Sequence, residues 1–495
     1  MDMPLFLSLL LLIGTIVQSH ALLRHDIHRN RPVLRRSPIL YDSKEDLNAR
    51  APVETTEEQY MPPLQDFLAI ARSATSPELL SILLVYFVQG ALGISRLAIS
   101  FFLKDELHLS PSEMAALTGL TSIPWLIKPI YGFLSDGVPI FGYKRRSYLL
   151  IAGLAGSLSW LLLGTIVHDA TSTLVAIIVG SASVAISDVV VDSIVVEKSR
   201  VLSNHTTTSL TGPELQSFCW GASAVGGIMS AYFSGSLLEK VSPKIVFLIT
   251  AFFPLLISVA SAFIDEKKSY NMPSKLIENM TAQFSQLKET VSNPSIYLPV
   301  LFVFLWQATP TPDAALFYFT TNTLGFNPEF LGTVRLFANI AALAGVVVYR
   351  TLLKDVSIKN IILWATLISV PLSLSQVILT SRYNLVLGIP DKVFALTDTV
   401  ILTVLGQIAF MPTLLLASSL CPPGVEGALF ATLMSIYNAA GTLSSEFGAG
   451  LTELLGVSDN KYENLNLLVT ICSLSSLLPL LFIDLLDIPS TKEND

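Results

Sequence analysis

Residues 122–146 read SIPWLIKPIYGFLSDGVPIFGYKRR. An apolar run carries one cation, Lys128, between Pro124 and Pro129, with Trp125 one helical turn earlier. The run continues through Gly132 and stops on a turn holding Asp136, and that turn closes on Lys144, Arg145 and Arg146. A charge at mid-membrane costs about 2.5–3.5 kcal/mol on insertion scales, so it requires a partner or a wet cavity. A span that buries a cation and then halts on such a loop has the character of a moving part rather than an anchor.

The rest of the chain supports a membrane reading. Of 495 residues, 52% are hydrophobic and only 14% charged, with a mean hydropathy of +0.61. Soluble domains carry about 25% charged residues, so this chain must bury its surface in lipid. The net charge of −8 carries little information, because the charges concentrate in loops and in the N-terminal segment. No basic patch with interleaved aromatics points to nucleic acid. Cys219, Cys421 and Cys472 lie in or beside apolar segments and read as small packing residues, not as a disulfide framework. The few histidines form no cluster within the apolar segments, and no Gly-x-x-x-x-Gly-Lys-Ser/Thr loop occurs. Metal-dependent catalysis and ATP-driven pumping are therefore not expected, and no cofactor is implied.

The first 76 residues read as presequence and flexible lead-in. Residues 4–18 are apolar but short for a span, and Ser19-His20-Ala21 offers small residues at the −3 and −1 positions of a signal-peptidase site. Arg24, Arg29, Arg31, Arg35 and Arg36 follow, with Asp26 the only acid among them. Signal-like followed by transit-like composition matches the two-part presequence of plastids wrapped in extra membranes. A plain signal peptide or a retained anchor stays open as the alternative.

Apolar segments near 20 residues predict twelve transmembrane helices in an all-α membrane protein. They fall near 80–103, 112–135, 147–167, 172–195, 215–237, 244–264, 296–319, 329–350, 358–380, 395–420, 427–450 and 464–484. The polar stretch 265–294 divides them into bundles over 77–264 and 295–485, with a polar tail over 486–495. Loops on the side of both termini carry Lys144, Arg145, Arg146, Lys198, Arg200, Lys267, Lys268, Lys275, Lys288, Arg350, Lys354 and Lys359. The opposite loops carry Lys104, Lys240, Lys244, Arg382, Lys392 and Lys461. That excess places both ends on the cytosolic or stromal side, here called inner. The glycosylation patterns at Asn204 and Asn279 then face inward and are expected to stay unmodified. Tyr131, Leu134, Val138 and Ile140 recur as Tyr349, Leu352, Val356 and Ile358, with Lys354 at the place of Asp136. Two related six-helix bundles around a central cavity, as in major facilitator transporters, fit this echo.

Ionisable residues inside spans mark candidate sites. Arg96 lies in the outer half of the first span, Lys128 in the inner half of the second, and Asp188 and Asp192, four apart on one face, in the fourth. Asp313 lies in the seventh, beyond Trp306 and Gln307, where Pro310 and Pro312 interrupt the helix. Arg335, Asp398 and Glu446 occupy the eighth, tenth and eleventh. Depth allows Lys128 to meet Asp188 or Asp192, and Arg96 to meet Asp313 across the bundles. Permanent ion pairs and sites for an anionic cargo or protons remain alternative readings. Asp136 with Arg145 and Arg146 forms a candidate inner latch. The fifth span bears a small-residue stripe, Ser217, Gly221, Ala224, Gly227, Ala231 and Gly235, suited to close helix approach.

Residues 119–136, GLTSIPWLIKPIYGFLSD, resemble the signature of folate–biopterin transporters, a branch of the major facilitator superfamily. YFVQGALG at 86–93, SDVVVDS at 187–193, LQSFCWG at 215–221, QATP at 307–310 with FYFTTN at 317–322, and FATLMS at 430–435 agree in order. The resemblance covers roughly 77–485 and is nearest the plant and cyanobacterial type. It implies carriage of folates or related pteridines by alternating access between two bundles, in a plastid envelope, by a monomer. Trp125, Trp306 and Gln307 become candidate contacts for the cargo's rings, and Arg96 and Lys128 for its carboxylates. Asp188, Asp192 and Asp313 become candidates for proton coupling, and Gly132, Asp136, Arg145 and Arg146 for gating. Another cargo (biopterin, S-adenosylmethionine or an amino acid), a non-transporting receptor, and a plasma or endomembrane location are the alternatives.

Overall fold

The computed structural model describes residues 76–203, 212–268, 292–419 and 426–486. The presequence, both glycosylation patterns, Cys421, most of the central polar stretch and nearly all of the tail lie outside the described residues. Helix dominates, and an Ile140–Tyr143 bridge is the sole β pairing among the described residues. Among the described residues, eight helical stretches are long and apolar enough to cross a bilayer: Pro77–Glu106, Arg146–Thr165, Ala170–Val195, Pro243–Ser261, Pro328–Leu353, Ile358–Thr380, Asp391–Leu414 and Leu465–Leu486.

Two of the remaining expected spans are broken, and the breaks follow the prolines. The second is divided into α3 (Pro111–Leu120), α4 (Ile123–Leu126) and α5 (Lys128–Gly137). Pro124 and Pro129 are each the second residue of a segment, where a missing N–H breaks no intrahelical bond. The capping box of Ser110 and Glu113 starts α3. The seventh is split into α10 (Pro294–Gln307) and α11 (Asp313–Asn322) around Pro310 and Pro312. The fifth corresponds to α8 (Gly212–Leu238) and the eleventh to α17 (Glu426–Leu454). Asn438, Glu446 and many small polar residues dilute the hydropathy of α17. The first span is itself composite, with α1 (Pro77–Ala91) and α2 (Ile94–Phe101) leading into a π-turn at Phe102–Glu106.

Side-chain sizes are distributed as lipid requires. On α6 (Arg146–Thr165) the large residues Leu150, Leu154, Leu158 and Leu161 are exposed, while Gly153, Gly156 and Ser157 are buried. In water this arrangement would be unstable; in a bilayer the exposed leucines meet hydrocarbon and the small residues admit neighbouring helices. Hydroxyls then bridge the close-packed backbones. Ser183 Oγ of α7 (Ala170–Ser203) donates to the Ala152 carbonyl at 2.6 Å, and Ser258 Oγ of α9 (Pro243–Ser261) to Leu150 at 3.0 Å. Gly90 on α1 lies so near α8 that a Cβ there would fall 2.0 Å from the Ser223 carbonyl oxygen. Of the stripe expected on the fifth span, Gly221 and Gly227 have open space where a Cβ would go, whereas Gly235 meets Gly332 of α12 (Pro328–Val348) backbone to backbone. The Gly227 carbonyl still accepts from Asn339 Nδ2 at 3.2 Å, so the stripe makes contacts at its middle as well as at its end.

Among the described residues the later part of the chain has two larger apolar cores and a smaller one around Tyr349, Ile361 and Ile408. Of the larger two, one gathers Ile296, Phe302, Ile362, Leu429 and Leu433; the other gathers Ala315, Phe319, Leu465, Leu468, Val469 and Cys472. Cys219 and Cys472 are buried free thiols. Contacts between residues before 265 and residues after 294 run mainly along α17, which packs on α3, α4 and α5, with further contacts toward the end expected to face outward. There Tyr318 Oη donates to the Leu109 carbonyl, Gly235 abuts Gly332, and α2 touches α12.

Candidate functional site

The break between α4 and α5 sets the first charged centre. Lys128 opens α5, and its ammonium donates to Asp188 on α7 and lies 5.0 Å from the centroid of the Trp125 ring. Its side chain is 13% exposed and that of Asp188 17%. Of the two partners left open by spacing, Asp188 takes the lysine. Asp192, one turn on, accepts a hydrogen bond from Tyr86 Oη on α1 instead. This centre therefore ties α1, α5 and α7 together through two carboxylates, a phenol and a cation. Tyr86 belongs to the 86–93 motif, yet nothing in its spacing marks it as a partner of Asp192. That relation exists only once α1 and α7 pack.

A second set of charged residues shares Asp192 with that centre. Arg96, Asp192 and Asp313 are each exposed although they sit within span helices. Arg96 does not pair with Asp313, contrary to expectation. Asp313 stands at the start of α11, two residues after Thr311 in the proline break, and forms no ion pair with a described residue. Arg96 is close enough to Arg335 on α12 for the two guanidiniums to repel. Asp398 is occupied by Ser375 Oγ at 2.7 Å and Gln376 Nε2 at 3.2 Å.

Trp306 is built into the protein wall. Its indole N–H donates to Thr366 Oγ1 at 3.1 Å, and its ring packs on the cluster around Phe302. Gln307 ends α10 and is half-buried beside the proline break. A small apolar recess lined by Val300, Val303, Phe304, Thr413 and Tyr437 holds none of these charged groups. No group of three His, Cys, Asp or Glu residues able to hold a metal occurs among the described residues.

The loop after α5 forms a third centre. Arg145 Nη1 pairs with Asp136 at 2.5 Å and reaches Ser135 Oγ at 3.3 Å. Asp136 is 59% exposed, so this pair is worth only about 0–1 kcal/mol. Sequence reasoning missed Glu266. Its carboxylate accepts the backbone N–H of Lys144 at 2.6 Å and those of Arg145 and Arg146 at 3.0 Å each, at the N-terminus of α6. A carboxylate there satisfies orphan donors and complements the helix dipole. The signal was faint: an acid directly after the sixth span. Arg146 turns away from Asp136 to the carbonyls of Ser261 and Ala262, at 3.2 and 3.1 Å, and lies over the Tyr143 ring. The latch thus reduces to Asp136 with Arg145, while Arg146 joins α6 to the end of α9. Gly132 is not pressed by a neighbour, since a Cβ there would stand 3.6 Å from Val189 Cγ1.

Comparison with known proteins follows the same outline. The profile of the BT1 family matches residues 89–494. A "Folate-biopterin transporter" of Synechocystis sp. is 51% identical over 427 residues, 86% of this chain and 85% of the relative. "Folate transporter 2" of Plasmodium falciparum is 31% identical over 408 residues, 82% of this chain and 87% of the relative. Among solved structures, the nucleoside transporter NupG superposes with a TM-score of 0.63 at 12% identity, covering 82% of this chain and 98% of its own. At that identity the likeness concerns the fold alone. The apolar helices and these relatives together make the protein a multi-pass membrane protein. With a family profile and a half-identical relative both extending over most of its length, the chain belongs to the BT1 family.

Proposed function

We propose that the protein is a secondary transporter of folates, and not an enzyme, working by alternating access between two six-helix bundles over 77–264 and 295–485. The single observation that carries this reading is the 51% identity to a folate–biopterin transporter along most of both chains. The charged residues Arg96, Asp192 and Asp313, exposed within span helices, support it, since a carrier must hold a polar cargo away from lipid. In this reading four of the twelve spans are the broken second and seventh, α8 and α17. The close approaches of Gly235 to Gly332 and of Tyr318 to Leu109 seal the outer end. Asp136 with Arg145 steadies the inner loop in a bond weak enough to open.

Within the cavity, Trp125 offers a ring face for a pteridine and Arg96 a fork for a carboxylate. Lys128, held by Asp188, acts on the cargo only through exchange of that partner. Asp192 and Asp313 are the exposed carboxylates and, with Asp188, carry the proposed proton coupling. The presequence composition supports a plastid envelope location.

Saturable uptake of labelled folate by the purified full chain in proteoliposomes tests the function, and absence of uptake of any pteridine rejects it. The coupling is tested by an imposed pH gradient. Wild-type uptake is expected to follow the gradient, and Asp192→Asn with Asp313→Asn to flatten that dependence. Undiminished response in the double variant rejects the proton route.

A further inference from the structure

Arg96 and Arg335 lie on helices α2 and α12, which come from opposite halves of the chain and touch. Their guanidiniums are near enough to repel each other. Neither forms an ion pair with any described residue. Asp188 holds Lys128, Asp192 takes Tyr86, and Asp398 takes Ser375 and Gln376, while Asp313 and Glu446 form no ion pair with either arginine. The Arg96 side chain is exposed. Two like charges held together inside a membrane protein without a counter-charge are costly. The arrangement is sustained where an external anion completes it.

We propose that Arg96 and Arg335 together form a clamp for a dianion, and that the ligand it takes is a terminal dicarboxylate on the cargo. This rests on the transport reading above and adds the chemical class that the site selects. A guanidinium presents a planar fork matched to one carboxylate, so two forks on two helices match two carboxylates on one short chain. A ligand with one carboxylate leaves one arginine unmatched, and a neutral pterin leaves both. Because the arginines come from opposite halves, the dicarboxylate also bridges those halves when bound.

Binding is measured by ligand-induced thermal stabilisation of the purified full chain in detergent, with uptake into proteoliposomes alongside. The probes are folate, pteroate (the same rings with one carboxylate), biopterin (no carboxylate) and 4-aminobenzoylglutamate, which carries the dicarboxylate without a pteridine. Wild type is expected to bind folate about tenfold or more tightly than pteroate, and to bind 4-aminobenzoylglutamate measurably. Arg335→Gln is expected to weaken folate about tenfold and leave pteroate within about twofold. Arg335→Lys, which keeps the charge and loses the fork, is expected to lie between them. Equal affinity of wild type for folate and pteroate overturns the clamp, as does unchanged folate affinity in both Arg335 variants. If wild type transports no pteridine, the transport reading fails separately. Stabilisation by 4-aminobenzoylglutamate that is lost in Arg335→Gln still supports the clamp in that case, and no stabilisation by that probe overturns it.

Discussion

The Lys128 centre and the arginine pair are both cationic sites within spans, and they are built in opposite ways. Lys128 has a carboxylate, an aromatic face and a neighbouring phenol–carboxylate pair, all supplied by the first half of the chain. Arg96 and Arg335 come from the two halves and supply each other only repulsion. The first centre is complete without a ligand, and the second is not. Intramembrane charge alone therefore does not identify a binding site. What distinguishes one is whether the protein has already matched the charge.

If that contrast is right, substitutions at the Lys128 centre are read mainly in stability. Asp188→Asn leaves the ammonium unpaired and is expected to cost about 3–5 kcal/mol, measured by thermal unfolding in detergent. The double variant Lys128→Met with Asp188→Leu is expected to regain most of that loss. Wild-type stability in Asp188→Asn would erase the difference between the two centres. Tyr86→Phe removes a hydrogen bond to a carboxylate and is expected to cost about 1.5–3 kcal/mol in the same assay. A null effect would mean that water takes the phenol's place beside Asp192. Trp125→Leu removes the aromatic face and is expected to cost about 0.5–2 kcal/mol, with a larger loss of folate affinity if the ring also stacks on cargo. No loss of stability is expected for Arg96→Gln or Arg335→Gln, and a modest gain fits better, because no internal pair is broken and a repulsion is relieved. Strong destabilisation by either would make that arginine a structural group.

The same contrast recurs in the two inner loops. After α5, Arg145 reaches Asp136 and Glu266 holds the next helix start. At the equivalent place in the second half Lys354 replaces the acid, and the described ion pair is Lys359 with Asp484 at 2.7 Å. The echo between halves preserved the apolar positions and not the charges. Apolar positions are constrained by lipid and by packing in both halves, while loop charges need only satisfy their own neighbourhood.

Much of the architecture was legible in the chain. Hydropathy marks the apolar spans because hydrocarbon demands long apolar segments, and Pro310 with Pro312 announces the break in the seventh because proline lacks an N–H wherever it stands. The family motifs occur in order for similar reasons of local chemistry. Which charge meets which was not legible. Asp188 and Asp192 share one helix face, so only the position of α5 and α1 against α7 could assign Lys128 to the first and Tyr86 to the second. Arg96 was expected to meet Asp313, but the two form no pair, and packing of α2 on α12 brings Arg96 near Arg335 instead. Glu266 finds the start of α6 across more than a hundred residues. Composition and periodicity are properties of neighbours in sequence, and they determine the membrane class and the helices. Charge partnership is decided by a few ångströms between distant segments, and so only the tertiary structure decides it.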